Sequence, residues 1–231
     1  MDNNPILIGQ QSDAQAKFIT TVYAWMAGAL ALTGLTALYT YGNDSLLQLI
    51  TSSKMFFYLL IFGELGLVIY LSAAINRMSA QSAMLAFLVY SVLNGLTLSV
   101  IFMVYTAASI ASTFFITAGT FGAMSVYGYF TKTDLTKVGN IAFMGLIGII
   151  IASLVNFFLK SEMLYWITSF IGVAVFVGLT AYDTQKIKEI SQYQDADTEV
   201  GQKSAIMGAL TLYLDFINLF LMLLRLFGRR D

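Results

Sequence analysis

The sequence predicts an all-α membrane protein built as a bundle of seven transmembrane helices. Hydrophobic residues make up 58% of the 231 positions and charged residues only 11%, whereas about 25% of a soluble domain is charged. Charged residues are also missing from long stretches, at 18–43, 83–130 and 138–159. A helix that crosses about 30 Å of hydrocarbon needs about 20 such residues. Each of these stretches can therefore cross the membrane at least once.

The lengths of the apolar runs define the individual spans. We predict spans over residues 18–41, 55–75, 83–105, 108–130, 138–159, 164–183 and 204–227. They follow a polar N-terminal segment, 1–17, and together form a single transmembrane domain, 18–231. The stretch 83–130 would be about 70 Å long as one helix at ~1.5 Å per residue, so we expect the chain to fold back near 105–109.

The distribution of lysine and arginine predicts a cytoplasmic N-terminus. In this orientation the cytoplasmic side carries Lys17, Arg77, Lys132, Lys137, Lys186, Lys188 and Lys203, and the opposite loops carry Lys54 and Lys160. A seventh span would place Arg225, Arg229 and Arg230 outside, against this bias. The sequence alone therefore leaves the side of the C-terminus open.

Composition also excludes several classes of function. The chain contains no cysteine and no histidine, which removes thiolate chemistry and the commonest metal ligand. Acid–base chemistry would therefore depend on carboxylates. A net charge of −1 offers no basic surface for nucleic acid, and the last span has no lysine for a retinal Schiff base. We expect neither an enzyme nor a resident cofactor.

Three acidic residues fall within the predicted spans, where an ionised group costs roughly 2.5–3.5 kcal/mol. Asp215 lies mid-span on a polar helical face that includes Thr211 and Asn218. Such a face either holds helices together or lines a path for protons or ions. Asp183 closes the sixth span and could be an ordinary solvated helix end. Glu64 lies between glycines in the second span.

Asp183 and Asp215 lie on consecutive spans, which are usually neighbours. Like charges about 4 Å apart at an effective dielectric of about 20 repel by about 4 kcal/mol. The two carboxyls would then share one proton near neutral pH and titrate as a unit. Glu64 has two interpretations: a structural residue paired with Arg77 or a hydroxyl, or a member of the same ion path. Asn94, on a polar face of the third span, is a weaker candidate for that path.

An intramembrane aspartyl protease also uses two acids on adjacent spans. Such enzymes carry a Pro-Ala-Leu sequence, which cannot occur here because the only proline is Pro5.

The sequence resembles the Bax inhibitor-1 family, the transmembrane Bax inhibitor motif proteins, over nearly all of the chain after residue 17. The most specific parts are Ala-Tyr-Asp-Thr-Gln-Lys-Ile at 181–187 and Ala-Leu-Thr-Leu-Tyr-Leu-Asp-Phe-Ile-Asn-Leu-Phe at 209–220. Asn-Gly-Leu-Thr at 94–97 and Thr-Lys-Thr-Asp-Leu at 131–135 support them. Glu64 and the loop before the last span resemble the bacterial and Golgi-type branch.

The resemblance implies a seven-helix bundle with the last helix central, and a pH-sensitive calcium leak gated by Asp183 and Asp215. These two acids would bind calcium weakly as the transported ion, with Glu64, Thr211, Asn218 and Asn94 along its path. Some relatives carry a basic latch in the second span, where this chain has Glu64, with Arg77 only at the span's end. The resemblance also implies the lipid bilayer, protons and other membrane proteins as partners, and a bacterial inner membrane or, in a eukaryote, an organelle membrane. Two alternatives stay open: a proton-coupled calcium exchanger, and a non-transporting interaction protein that modulates a membrane protease or a cell-death pathway.

Overall fold

The computed structural model describes residues 5–230 and consists of helices joined by short connections. The α-helices are α1 (Pro5–Tyr41), α2 (Asp44–Ser52), α3 (Lys54–Ala74), α4 (Ala80–Leu98), α5 (Ala107–Phe130), α6 (Thr136–Leu159), α7 (Glu162–Ile190) and α8 (Glu199–Phe227). Two 3₁₀ turns, Ile75–Arg77 and Ser99–Met103, extend α3 and α4. Within the described chain, seven helices are long and apolar enough to cross a membrane. The predicted fold class, an all-α transmembrane bundle, is confirmed.

Side-chain caps define where several helices begin. The side chains of Asn43, Ser53, Ser79 and Thr106 accept hydrogen bonds from backbone N–H groups in the first turns of α2, α3, α4 and α5. Such caps satisfy donors that a helix start otherwise leaves unpaired. Lys160 ends α6 in the left-handed region, at φ 51°. The chain can therefore turn at once into α7.

Three features of the helices differ from the sequence expectations. The first helix begins at Pro5 rather than at residue 18, and the connection after it contains the short helix α2. The helix that carries Asp183 is longer than its apolar span, because α7 continues to Ile190. Residues 184–190 lack the apolar character of a span, but their sequence is compatible with a helix. The positive charge of Lys188 in the last turn also stabilises the helix by interacting with the negative end of its dipole.

The chain forms two compact units. Unit 1 comprises the described residues up to Val104 together with Glu189–Tyr213. In it α4 packs against both α1 and α3, and α2 packs against α1 and α3. Tyr213, from the first half of α8, makes edge-to-face contacts with Phe87 and Tyr90 of α4. This aromatic cluster joins α8 to the core of unit 1.

Unit 2 comprises Tyr105–Lys188 and the chain from Leu214 onward. Phe216 of α8 makes edge-to-face contacts with Phe114 and Phe121 of α5. On the α7 side, the absence of a side chain at Gly172 leaves room for Met222 of α8. The second half of α8 therefore packs closely against both α5 and α7.

Burial distinguishes α8 from the other spans. In its most apolar window 67% of the residues are buried, against 11–39% in the other six candidate spans. A transmembrane helix that contacts little lipid can hold polar groups at low cost, because protein surrounds them.

The topology can be tested with single-cysteine variants, because the chain has no native cysteine. We expect exposed positions 45 and 162 to react with an impermeant maleimide from one side of the membrane, and exposed positions 76, 132 and 192 from the other. This follows because the seven spans alternate in direction. Labelling of both sets from the same side would contradict the seven-span topology.

Candidate functional site

Asp183 of α7 and Asp215 of α8 are brought together within unit 2. The two carboxyl groups are near enough for each to act electrostatically on the other. Asp215 is 4% exposed, whereas Asp183 is half-buried and lies within the electrostatic reach of Lys186. No N–H or hydroxyl group of the described residues donates to Oδ2 of Asp215. A hydrogen bond between two carboxyls requires one of them to hold a proton. The arrangement is therefore suited to sharing a single proton.

Gln185 fixes the part of α7 that carries Asp183. Its Oε1 accepts a hydrogen bond of 2.8 Å from the backbone N–H of Leu135, and its Nε2 donates at 2.9 Å to the carbonyl of Thr133. One side-chain amide therefore satisfies two backbone groups in the turn between α5 and α6. Lys188 adds a bond of 2.6 Å to the carbonyl of Tyr129. The sequence resemblance included both segments, but it did not indicate that they touch.

Two glycines allow close packing against the same stretch of α7. A Cβ at Gly128 would collide with the backbone carbonyl of Ala181, and a Cβ at Gly139 would lie within the ring of Tyr182. These residues precede Asp183 directly. By contrast, nothing lies within 4 Å of a Cβ placed at Gly122. Gly128 and Gly139 are therefore the glycines whose missing side chains allow this packing, whereas Gly122 is not required for it.

Thr211 and Asn218 use their donors within α8 itself. The Thr211 hydroxyl donates to the carbonyl of Met207 at 3.0 Å, and the Asn218 amide donates to the carbonyl of Leu214 at 2.8 Å. Both side chains are half-buried. Thr211 belongs to unit 1 and Asn218 to unit 2. Their place in an ion path stays a prediction.

Glu64 of α3 is buried in unit 1, where its two carboxylate oxygens have separate partners. Oε2 accepts a hydrogen bond of 3.1 Å from the amide of Asn94, and Oε1 accepts a short bond from the hydroxyl of Thr97. Both partners lie on α4. Glu64 therefore ties α3 to α4 through an amide and a hydroxyl, which is one of the pairings considered from the sequence.

The same network continues from α4 to α8 and α1. The hydroxyl of Tyr213 donates to Oδ1 of Asn94 at 3.2 Å and lies 2.7 Å from the hydroxyl of Thr33. Thr33 is in turn 2.9 Å from the carbonyl of Ser91. The hydroxyls of Tyr213 and Thr33 thus have two protons for three hydrogen bonds. The direction of donation in this network can therefore change when one of its residues changes. Sequence reasoning missed Tyr213, because tyrosine at that spacing also suits an apolar core.

The described residues contain no group of three or more acidic side chains that could hold a metal ion. Asp183 and Asp215 supply two neighbouring carboxyl groups in unit 2. Calcium takes six to eight oxygen ligands. Any calcium at this pair would therefore draw most of its ligands from water and the backbone.

The described chain has seven helices that are long and apolar enough to cross a membrane, and it is a multi-pass integral membrane protein. The family profile described as "Inhibitor of apoptosis-promoting Bax1" matches residues 15–231. The chain therefore belongs to the Bax inhibitor-1 family.

Bacterial relatives match over almost the whole length. The chain is 57% identical over 214 residues to the inner membrane protein YbhL of Escherichia coli, covering 92% of each sequence. It is 50% identical to RP147 of Rickettsia prowazekii, covering 93% of this chain and 90% of the relative. A membrane protein of Streptococcus pyogenes is 37% identical, covering 99% and 100%. A bacterial inner membrane is thus a plausible location for this multi-pass protein.

The packing of α7 predicts that Gly128→Ala destabilises the protein. The new Cβ would press on the Ala181 carbonyl, and such overpacking costs about 1–3 kcal/mol. Gly122→Ala is a matched control on the same helix, where the open space and the higher helix propensity of alanine predict no loss. Thermal unfolding in detergent measures both. Equal transition temperatures for the two variants would contradict the close contact.

The Glu64 network predicts different outcomes for two substitutions. Glu64→Gln keeps one acceptor for the Asn94 amide and places an N–H₂ group against Thr97, so the protein should retain its stability. Glu64→Leu leaves the buried Asn94 donor without an acceptor, which costs about 1–3 kcal/mol. The same unfolding measurement separates them. If Glu64→Leu is as stable as wild type, the hydrogen bonds do not hold α3 to α4.

Proposed function

We propose that the protein is a pH-sensitive calcium leak channel whose gate is the pair formed by Asp183 and Asp215. The observation that supports this most directly is the proximity of the two carboxyl groups, one buried and one half-buried. In this proposal Asp183 and Asp215 share a proton while the channel is closed. Gain or loss of that proton shifts an equilibrium between closed and open states.

The electrostatics of the pair explain why pH would act on the gate. With one proton between them, the carboxyls form a hydrogen bond that holds α7 to α8. Without it, two like charges at contact distance repel. Lys186 offsets part of this repulsion from the α7 side. Because the chain lacks histidine, a response near neutral pH would have to come from carboxyl groups.

The ligand set suits conduction of calcium better than its storage. Two carboxylates supply only a minority of the six to eight oxygens that calcium prefers. Conduction requires that an ion bind strongly enough to enter and weakly enough to leave. Glu64, Asn94, Thr211 and Asn218 are the proposed further polar positions along the path. The protein acts in this proposal without catalysis and without a resident cofactor.

The test is calcium flux into liposomes that contain the purified protein, measured across a pH series. We expect Asp183→Asn and Asp215→Asn each to flatten the dependence of flux on pH, because asparagine removes the like-charge coupling. Since the pair acts as one unit, the double variant should be little worse than the stronger single variant. Glu189→Gln removes an exposed acid from α7 and should keep the wild-type profile.

The outcome also separates the alternatives. A leak transports calcium down its gradient with the pH clamped on both sides, whereas an exchanger stops without proton counterflow. A folded but inert protein would favour the interaction role. The gate mechanism is wrong if both asparagine variants fold, checked by thermal unfolding, and keep the wild-type curve.

A further inference from the structure

A polar cavity of about 680 Å³ lies within unit 2, apart from the aspartate pair. It opens where α6 ends, α7 begins and the chain leaves α8. Its charged and aromatic lining comprises Lys160, Glu162, Tyr165, Trp166, Arg225 and Arg230. Three of these six side chains are cations and one is an acid. Nothing in the proposed gate uses them.

Among the described residues, no carboxylate forms a salt bridge with a cation of this cavity. Within the described part of the chain, Lys160, Arg225 and Arg230 form no salt bridge; the ion pair found there joins Lys17 to Asp197. The half-buried Arg225 and the exposed Arg230 instead stack on aromatic rings. The described lining therefore carries three positive charges and one negative charge.

Aromatic residues hold the two arginines in place. The guanidinium of Arg225 lies 5.5 Å from the centre of the Tyr165 ring, and that of Arg230 lies 5.7 Å from the same ring. Arg230 also donates a hydrogen bond of 3.2 Å to the Tyr165 hydroxyl. Hydrogen bonds to the phenols of Tyr105 and Tyr165 raise the pKa of the Arg230 guanidinium above its ordinary value. Its charge is therefore present at every physiological pH.

The backbone after α8 is fixed as well. The N–H of Thr106 donates to the carbonyl of Arg229 at 3.1 Å, and the N–H of Arg229 donates to the Ser109 hydroxyl at 2.8 Å. These bonds join the end of the chain to the start of α5. Arg230 is thus held in a defined position although its side chain is exposed, which reduces the entropy lost when it binds a ligand.

The cavity lies at the end of three transmembrane helices, where the bilayer meets water. Tyrosine and tryptophan are enriched at this depth, and basic pockets between helices bind lipid head groups. An arginine guanidinium can donate two parallel hydrogen bonds to two oxygens of one phosphate. We propose that this cavity is a binding site for a phosphate-bearing anion, with Arg225 and Arg230 as its main ligands and Lys160 adding charge. The phosphate belongs to a phospholipid head group or is free in solution.

The fluorescence of Trp166 tests this proposal directly. The chain has two tryptophans, so Trp25→Phe leaves Trp166, in the cavity wall, as the reporter. The full-length protein in detergent is titrated with dihexanoyl-phosphatidylglycerol, with inorganic phosphate, and with dihexanoylglycerol, which has the same chains and no phosphate. We expect a saturable response to the phosphate-bearing probes and none to dihexanoylglycerol. A response to the phospholipid alone assigns a lipid site, and a response to both assigns a site for phosphate itself.

Four variants test whether the two arginines are the ligands. Arg225→Gln and Arg230→Gln should each weaken binding about tenfold or more, because each removes a charge-assisted hydrogen bond. Arg229→Gln removes the same charge one residue away, outside the cavity lining, and should bind like wild type. If Arg225→Gln fails to fold, Arg225→Lys is used instead. It keeps the positive charge but lacks the planar guanidinium, so it should bind the phosphate-bearing probes more weakly than wild type. The proposal is overturned if no probe gives a saturable response, if dihexanoylglycerol responds equally, or if Arg229→Gln weakens binding as much as Arg230→Gln.

Discussion

The hydrocarbon core offers no water to a polar group, so every polar side chain at that depth must find its partner inside the protein. Most hydroxyls meet this demand locally: Thr117 and Thr180, for example, donate to carbonyls one turn earlier on their own helices. A carboxyl cannot do so. Glu64 takes both of its partners from α4, and the carboxyl of Asp215 on α8 lies near that of Asp183 on α7.

The two acidic centres satisfy the constraint in different ways. Glu64 receives two neutral donors, and its partner Asn94 passes the network on to Tyr213. Asp215 meets another acid, Asp183, and that contact is favourable only while a proton lies between them. The hydrogen bonds of Glu64 stabilise a single arrangement, whereas the stability of the aspartate pair depends on whether a proton is bound. This difference is the physical reason for placing a pH-sensitive gate at the aspartates rather than at Glu64.

The sequence predicts seven apolar helices correctly because the bilayer imposes a length and a charge limit on each of them. The prediction fails at the ends of the apolar runs, where the bilayer no longer limits length and charge. The helix beyond Asp183 and the short helix α2 lie at the ends of apolar runs, where propensity and capping by Asn43 decide. The acids themselves were visible as costly residues in apolar surroundings. The residues that hold the acids in place were not visible in the sequence. Gln185 and Gly128 act through contacts with backbone groups that lie tens of residues away along the chain.

The arginines near the C-terminus oppose the charge bias of the other loops, and the structure suggests why they can. The positive-inside bias reflects the cost of moving solvated cations across the membrane. Arg225 and Arg230 stack on the ring of Tyr165, and backbone bonds to Thr106 and Ser109 hold the segment that carries Arg230. Cations held this way are fixed in direction, so they lose less conformational entropy when they bind an anion than mobile lysines would. In the proposed anion site, these cations therefore serve binding rather than orientation of the chain.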